Sequence, residues 1–343
     1  MTAALEVERD EQVTPTISVA LCTFNGERFV AEQIDSILAQ TLLPDEIVLS
    51  DDASTDATVA IVEDAVARFS AEHPEQTLAF RVFRNPVALG VVRNFEQAVT
   101  AAAGDFVVLC DQDDRWAPDR IARALTGFAE RPDRLLIHAD ANLVDSDGNP
   151  LGDTLFRALG VTPRERELIA SGRALAALLG RNLVTGATTM FRGGLLERAL
   201  PFPSSWVHDE WLAVIAAATG RIDFLSEQLI DYRQHDGNAI GAGRIGLSGR
   251  LDRLREPRGK RNRALVERAT DLVDRLAALG PAVSAANLRL AQSKLAHERA
   301  RLALPPTRLR RIVPVLRELS RGGYTHYGRG LQDALRDLVQ PAR

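Results

Sequence analysis

Phe106-Val107-Val108-Leu109-Cys110 runs directly into Asp111-Gln112-Asp113-Asp114, so three carboxylates arrive within four positions at the end of an apolar stretch. Five apolar residues in a row are too few for an amphipathic helix and predict a strand buried on both faces. In an open parallel sheet, ligands bind outside the carboxyl ends of the strands, which is where these acids fall. Crowded like charges are costly there unless a cation sits among them. Oxygen ligands of this kind suit Mg²⁺ or Mn²⁺, usually shared with substrate phosphates. The plainer alternative is a loop that ends in an Asp cap for a helix after Trp116, with Pro118 in its first turn.

Polar residues close other apolar runs in the same way: Asn25 after Ile17–Cys22, Asp51 with Asp52 after Glu46–Ser50, and Asn85 after Leu78–Phe83. In a parallel sheet all of them line one edge, and acids at a second strand's end can accept hydrogen bonds from a ribose or a base. Asx-turn and capping chemistry would also account for Asp51 and Asp52. Further on, Gly186-Ala187-Thr188-Thr189-Met190-Phe191 precedes His208-Asp209-Glu210-Trp211. A helix from Asp209 through Ala218 would put Asp209 at its N-terminus, where the dipole favours an ionised carboxylate or a simple cap. Tyr232-Arg233-Gln234-His235-Asp236-Gly237-Asn238 gathers Arg, His and Asn in a Gly-containing loop suited to a phosphate or a metal.

Strands at Ile17–Cys22, Glu46–Ser50, Leu78–Phe83 and Phe106–Cys110 must position these groups. The helices between them carry apolar faces, such as Phe29, Ile34, Ile37 and Leu38, and one reaches about Phe69 behind a Ser/Thr/Asp cap. Another runs to Ala103, with Gly104 suited to its C′ position. This alternation predicts a parallel α/β sheet. Leu135–His138 adds a short strand, and Asp147-Gly148 a hairpin turn. The neighbouring acids do not make a calcium loop, because the glycine is misplaced and position twelve would be Phe156. Neither a dinucleotide-binding Gly-x-Gly-x-x-Gly nor a P-loop is present.

The 343 residues allow one large or two medium domains. A net charge of −4 hides an asymmetry: residues 1–240 carry 20 Lys and Arg against 37 Asp and Glu, and residues 241–343 carry 22 against 9. Such a split points to different partners for the two parts. Cys22 and Cys110 both end apolar runs and read as buried thiols in a reducing compartment. The acidic first ten residues lack the pattern of a secretory signal, and no run of about 18 apolar residues occurs, so a cytoplasmic location is expected.

Taken together, Thr23-Phe24-Asn25-Gly26, Asp51-Asp52-Ala53-Ser54-Thr55-Asp56, Asn85 with Gly90 and Asn94, Cys110–Asp114, His208–Trp211 and Tyr232–His235 resemble a family 2 glycosyltransferase of the GT-A fold, close to bacterial rhamnosyltransferase-like members. Order and spacing, rather than any one motif, carry the resemblance over about residues 16–241. It implies a Rossmann-like mixed, mostly parallel sheet flanked by helices. It also implies an inverting transfer of a sugar from a dTDP- or UDP-sugar to a glycan or lipid-linked acceptor. Donor-binding positions would be Thr23, Asn25, Asp51, Asp52, Asn85, Asn94, Asp111, Gly186 and Arg233. Asp111 and Asp113 form the Asp-x-Asp signature, and Asp113, Asp111 and His235 would hold Mn²⁺ or Mg²⁺, with Asp113 its direct ligand. Asp209 matches the expected base, whereas His208 replaces the family's Glu. Two other classes compete. A sugar-nucleotide-forming nucleotidyltransferase needs a Gly-rich, Arg/Lys-bearing loop after the first strand, which Thr23–Glu27 is not. A non-catalytic sugar-nucleotide module would not need Asp209.

The expected organisation is a disordered tail over 1–15, a catalytic domain over 16–241 and a basic, mainly helical region over 242–343. The last is most basic at Leu251–Arg263, and Pro305-Pro306 breaks its helices. Its charge suits packing on the acidic domain or peripheral attachment to anionic lipid on the inner face of the membrane. No motif supports nucleic-acid binding. A homo-oligomer is compatible with the composition.

Overall fold

A computed structural model describes residues 14–235 and 257–341. The tail expected over 1–15 lies outside the described residues up to position 13, as do Asp236–Asn238 and the first part of the basic stretch 251–263.

Nine strands among the described residues form one mixed sheet. They are β1 Ile17–Thr23, β2 Glu46–Asp51, β3 Ala79–Arg84, β4 Phe106–Cys110, β5 Arg115–Trp116, β6 Arg134–Val144, β7 Pro150–Thr154, β8 Thr189–Arg192 and β9 Arg221–Arg233. The order is β3-β2-β1-β4-β8-β6-β9-β5, with β7 hairpinned onto β6. β3, β2, β1 and β4 are parallel, as the alternation of strands and helices requires, and β8 enters antiparallel between β4 and β6. The register pairs Thr23 with Asp51, Asp51 with Arg84 and Leu21 with Cys110. All four polar strand ends therefore lie level along one edge.

Successive residues of a strand face opposite sides of the sheet, and here both sides are dry. Val19 and Leu21 of β1 join one core with Phe106, Val108 and Cys110, while Ala20 and Cys22 join the other with Val107 and Leu109. That double burial explains the continuous apolar runs. Cys22 and Cys110 are buried free thiols, as expected.

Two expectations of local structure change. The strand at Leu135–His138 extends to Val144. Its polar members Asp140 and Asn142 are engaged across the fold, Asp140 by the Phe156 N–H and Asn142 by Asp231. The helix before β4 stops at Ala101, so Gly104 is not its C′ residue. A side chain at Gly104 would come within 2.7 Å of the Ser18 amide, so close approach explains the glycine. The Asp147-Gly148 hairpin forms as predicted, with the Asp145 carboxylate accepting from the amides of Asp147 and Asn149.

The C-terminal region is helical: Arg258–Ala278, Ala285–Leu302, Arg308–Ser320, Gly323–Tyr327 and Leu331–Val339. Leu272, Leu276 and Ala291 complete the core around the helix His208–Thr219, which is buried from Trp211 to Ala218. Docking is also polar: the Trp206 indole donates to the Arg268 carbonyl, Arg275 to that of Leu200, and Asn287 to that of Ala218. Three of the region's arginines are internal. Arg301, 1% exposed, pairs with Glu298 and Asp337, and Arg258 and Arg311 donate to chain carbonyls. No helix among the described residues is long and apolar enough to cross a membrane.

Candidate active site

The end of β1 turns through Phe24-Asn25-Gly26, held from both sides. Gln112, between the two acids of Asp111-Gln112-Asp113, accepts from the Phe24 amide at 2.8 Å and donates to its carbonyl at 3.0 Å. It thus pairs like a strand and ties the acid loop to the first loop. A side chain at Gly26 would lie 2.2 Å from Gln112 Oε1 and would displace the Gln112 amide from Phe24. Asn25, at φ 45°, accepts from the Thr55 amide at 2.9 Å.

Thr23 Oγ1 donates to Asp51 at 2.7 Å, and Asp51 also accepts from the Ser54 amide and hydroxyl. These bonds hold Ala53 at φ 67°, a left-handed conformation costly for a residue with a Cβ. Asp52 accepts from the amides of Leu89 and Gly90, fixing the turn after β3. Asn94 is buried, accepts from Ser50 Oγ at 2.6 Å and from Asn85 at 3.3 Å, and donates to the Ser50 carbonyl. Asp51, Asp52, Asn85 and Asn94 therefore shape the rim through hydrogen bonds within the protein.

The carboxylates after β4 meet their partners from across the fold. Asp113 Oδ2 lies 2.7 Å from His235 Nε2, and the His235 ring packs on Phe29. Burial, then Asp113 and Asp209, push the Asp111 carboxyl up to about 7. Asp113 and Asp209 are thus both within electrostatic reach of Asp111. Asp114 is fully buried and pushed up by burial and by Asp113. One of its oxygens accepts from the Arg233 amide at 3.0 Å, and Oδ2 has no hydrogen-bond partner among the described residues.

Arg233 stands behind the acid loop, 3% exposed. Its guanidinium donates to the carbonyls of Asp113 and Ser146 and to Glu32, and packs over Phe29. These contacts brace the loop. Two further residues complete the surroundings: Arg120, which no sequence motif marks, and Tyr232, which opens the Tyr232–His235 motif but takes no role there. Arg120 lies on the Trp116 ring at 3.7 Å, donates to the Ala187 carbonyl and, though burial lowers it to about 10, remains a cation beside Asp114 and Asp111. The Tyr232 hydroxyl is raised by burial and the surrounding acids and stays protonated.

Asp209 lies in the first turn of its helix, buried, accepting from the amides of Gly186 at 2.9 Å and Glu210 at 2.7 Å. Burial outweighs these bonds and pushes its carboxyl up to about 6. His208 is buried against Phe95, with ring centroids 3.9 Å apart, and is lowered to about 3 by burial, so it is a neutral packing residue. Glu210 pairs with Arg268, which the C-terminal region contributes.

Asp113 and His235 have the spacing of neighbouring ligands: at right angles on Mg²⁺, with bonds of about 2.1 Å, ligand atoms stand about 3 Å apart. No group of three or more His, Cys, Asp or Glu suited to a metal occurs among the described residues. The pair fits an ion that draws its other ligands from phosphate oxygens and water, which is the usual habit of Mg²⁺.

The model for glycosyl transferase family 2 matches residues 18–191. Uncharacterized protein Rv1520 of Mycobacterium tuberculosis is 30% identical over 264 residues, 75% of this chain and 68% of that protein. Uncharacterized glycosyltransferase alr2836 of Nostoc sp. is 27% identical over 227 residues, 65% of this chain and 66% of that protein. The crystal structure of S. aureus TarS 1–349 in complex with UDP-GlcNAc superposes with a TM-score of 0.56 at 17% identity, covering 94% of this chain and 89% of that one. At that identity the likeness is one of fold. The level strand ends, the acid loop after β4 and the matched residues agree, and the chain belongs to glycosyl transferase family 2.

Proposed function

We propose that this chain is an inverting, metal-dependent glycosyltransferase with Asp209 as its base. Its donor is a dTDP- or UDP-sugar, rhamnose being the sugar the resemblance favours, and its acceptor is a hydroxyl of a cell-surface glycan or lipid-linked glycolipid. Asp209 carries the reading: a buried carboxylate, fixed by two amides and raised to about 6, at the same edge as the acid loop. A base of that strength is mostly ionised at pH 7 yet takes a proton more readily than an ordinary carboxylate.

In the reaction the acceptor oxygen forms a bond to the anomeric carbon as its proton passes to Asp209. The bond from that carbon to the diphosphate oxygen breaks, and its electron pair leaves with the nucleotide diphosphate. Attack from the face opposite the leaving group inverts the carbon. Mg²⁺ or Mn²⁺ held by Asp113 and His235 would supply Lewis-acid stabilisation of the leaving charge. Thr23, Asn25, Asp51, Asp52, Asn85 and Asn94 form the nucleotide pocket, with Gly186 holding Asp209 and Arg233 bracing the acid loop. A lipid-linked acceptor would bring the C-terminal region to the inner face of the membrane.

Asp209→Asn tests the assignment. Nucleotide diphosphate release with acceptor present should fall by about 100-fold or more, with donor affinity nearly unchanged. Near-normal turnover would overturn it.

A further inference from the structure

The last two long helices are turned inside out. Arg308–Ser320 and Leu331–Val339 direct charge inward: Arg311, Asp333 and Asp337 are buried, with Asp337 between Arg301 and the Tyr324 hydroxyl. Their leucines face outward. Leu309 is 77% exposed, Val313 65% and Leu316 57%, one stripe at helical spacing, and Leu331 at 70%, Leu335 at 58% and Val339 at 44% form a second. The half-buried Leu319 and Leu338 pack on the same small cluster of Leu304, Val315, Tyr324 and Ala334, so one core holds the two helices beneath the stripes. An apolar surface of this kind, rimmed by polar residues, marks an interaction site.

The rim identifies the partner. Arg308, Arg310, Arg317, Arg321 and Arg329 are exposed around the stripes. The acids between 308 and 341 are withdrawn: Glu318, Asp333 and Asp337 have side chains 16%, 4% and 0% exposed. Of these arginines only Arg321 has an acid beside it among the described residues, Glu318 at 3.7 Å, so the face is leucine bordered by a net excess of arginine. A second copy would set arginine against arginine, whereas an anionic bilayer takes the leucines into its acyl boundary and pairs its headgroups with the arginines. We propose that these two helices are the platform by which the chain lies on an anionic lipid surface. This deepens the membrane contact named under the proposed function and uses no residue of the donor site.

The test is sedimentation of the full chain with vesicles of phosphatidylcholine alone or mixed with phosphatidylglycerol. Binding should require phosphatidylglycerol and weaken with salt. Leu316→Glu with Leu335→Glu should weaken it tenfold or more, and Arg310→Gln with Arg317→Gln about five-fold per arginine. These residues are exposed, and an unchanged unfolding temperature confirms that each variant folds. Absence of vesicle binding, equal binding to both vesicles, or a dimer lost in the leucine variant without vesicle binding would overturn the proposal. Nucleotide binding is measured on the same variants and should not change. A chain that binds vesicles but no nucleotide refutes the transferase reading and leaves this one standing.

Discussion

Replacing Asp111 with Asn deletes one charge from the acid cluster at nearly constant shape. In the folded chain burial, Asp113 and Asp209 raise this carboxyl from 3.8 to about 7. A group whose pKa rises on folding contributes stability below its unfolded value, and that contribution is lost as pH climbs through the folded value. The window here therefore runs from about pH 4 to pH 7. At pH 5 the folded Asp111 is still protonated, and by pH 8 it has ionised among its neighbours. The two units between pH 5 and the folded pKa, at about 1.4 kcal/mol each, set a ceiling of about 2.7 kcal/mol on the pH-dependent penalty. Water entry and relaxation screen such pairs, so about half that value is expected. At about 2–4 °C per kcal/mol, the advantage of Asp111→Asn over the parent should grow by roughly 3–5 °C from pH 5 to pH 8. Thermal unfolding in EDTA without nucleotide measures it. An identical difference at both pH values would refute the electrostatic picture of the site.

Other expectations follow from the same contacts. The acidic limb of kcat/KM should fall near pH 6, where Asp209 titrates in the free protein, and activity should rise through it. Gln112→Ala removes both bonds to Phe24, so calorimetry should show nucleotide affinity falling about five-fold, for a net loss of about 1 kcal/mol. Asp337→Ala leaves Arg301 buried beside one fewer carboxylate and should cost about 3–5 kcal/mol in urea unfolding. Mn²⁺ should raise the unfolding temperature, and the gain should vanish in Asp113→Ala.

How much could be read from the chain depends on how far each contact reaches. The run Phe106–Cys110 and its acids were legible because a strand buried on both faces must be continuously apolar. Asp209 was legible as the residue opening a helix. The partners of these groups were not. Gln112 resembles any loop residue until Phe24 is set beside it, a pairing across 88 positions. Arg120 reads as a helix-surface cation, yet its partner carbonyl at Ala187 is 67 positions away. Arg233 looked like a phosphate ligand, and the structure spends its donors on the protein. In the C-terminal region composition announced helix and positive charge. It did not announce that Arg258, Arg301 and Arg311 would be buried while leucines faced outward.

The central claim is a metal-assisted nucleotide diphosphate site at the acid loop. Its most direct test is a thermal-shift panel of UDP, dTDP, GDP and CMP, each with and without Mn²⁺ or Mg²⁺. At about 100 times its Kd a ligand stabilises the fold by roughly 2.7 kcal/mol, a shift large enough to read. The account predicts a shift with one diphosphate, lost in EDTA and in Asp113→Ala. No shift with any nucleotide and metal, or one that survives both EDTA and Asp113→Ala, would contradict it.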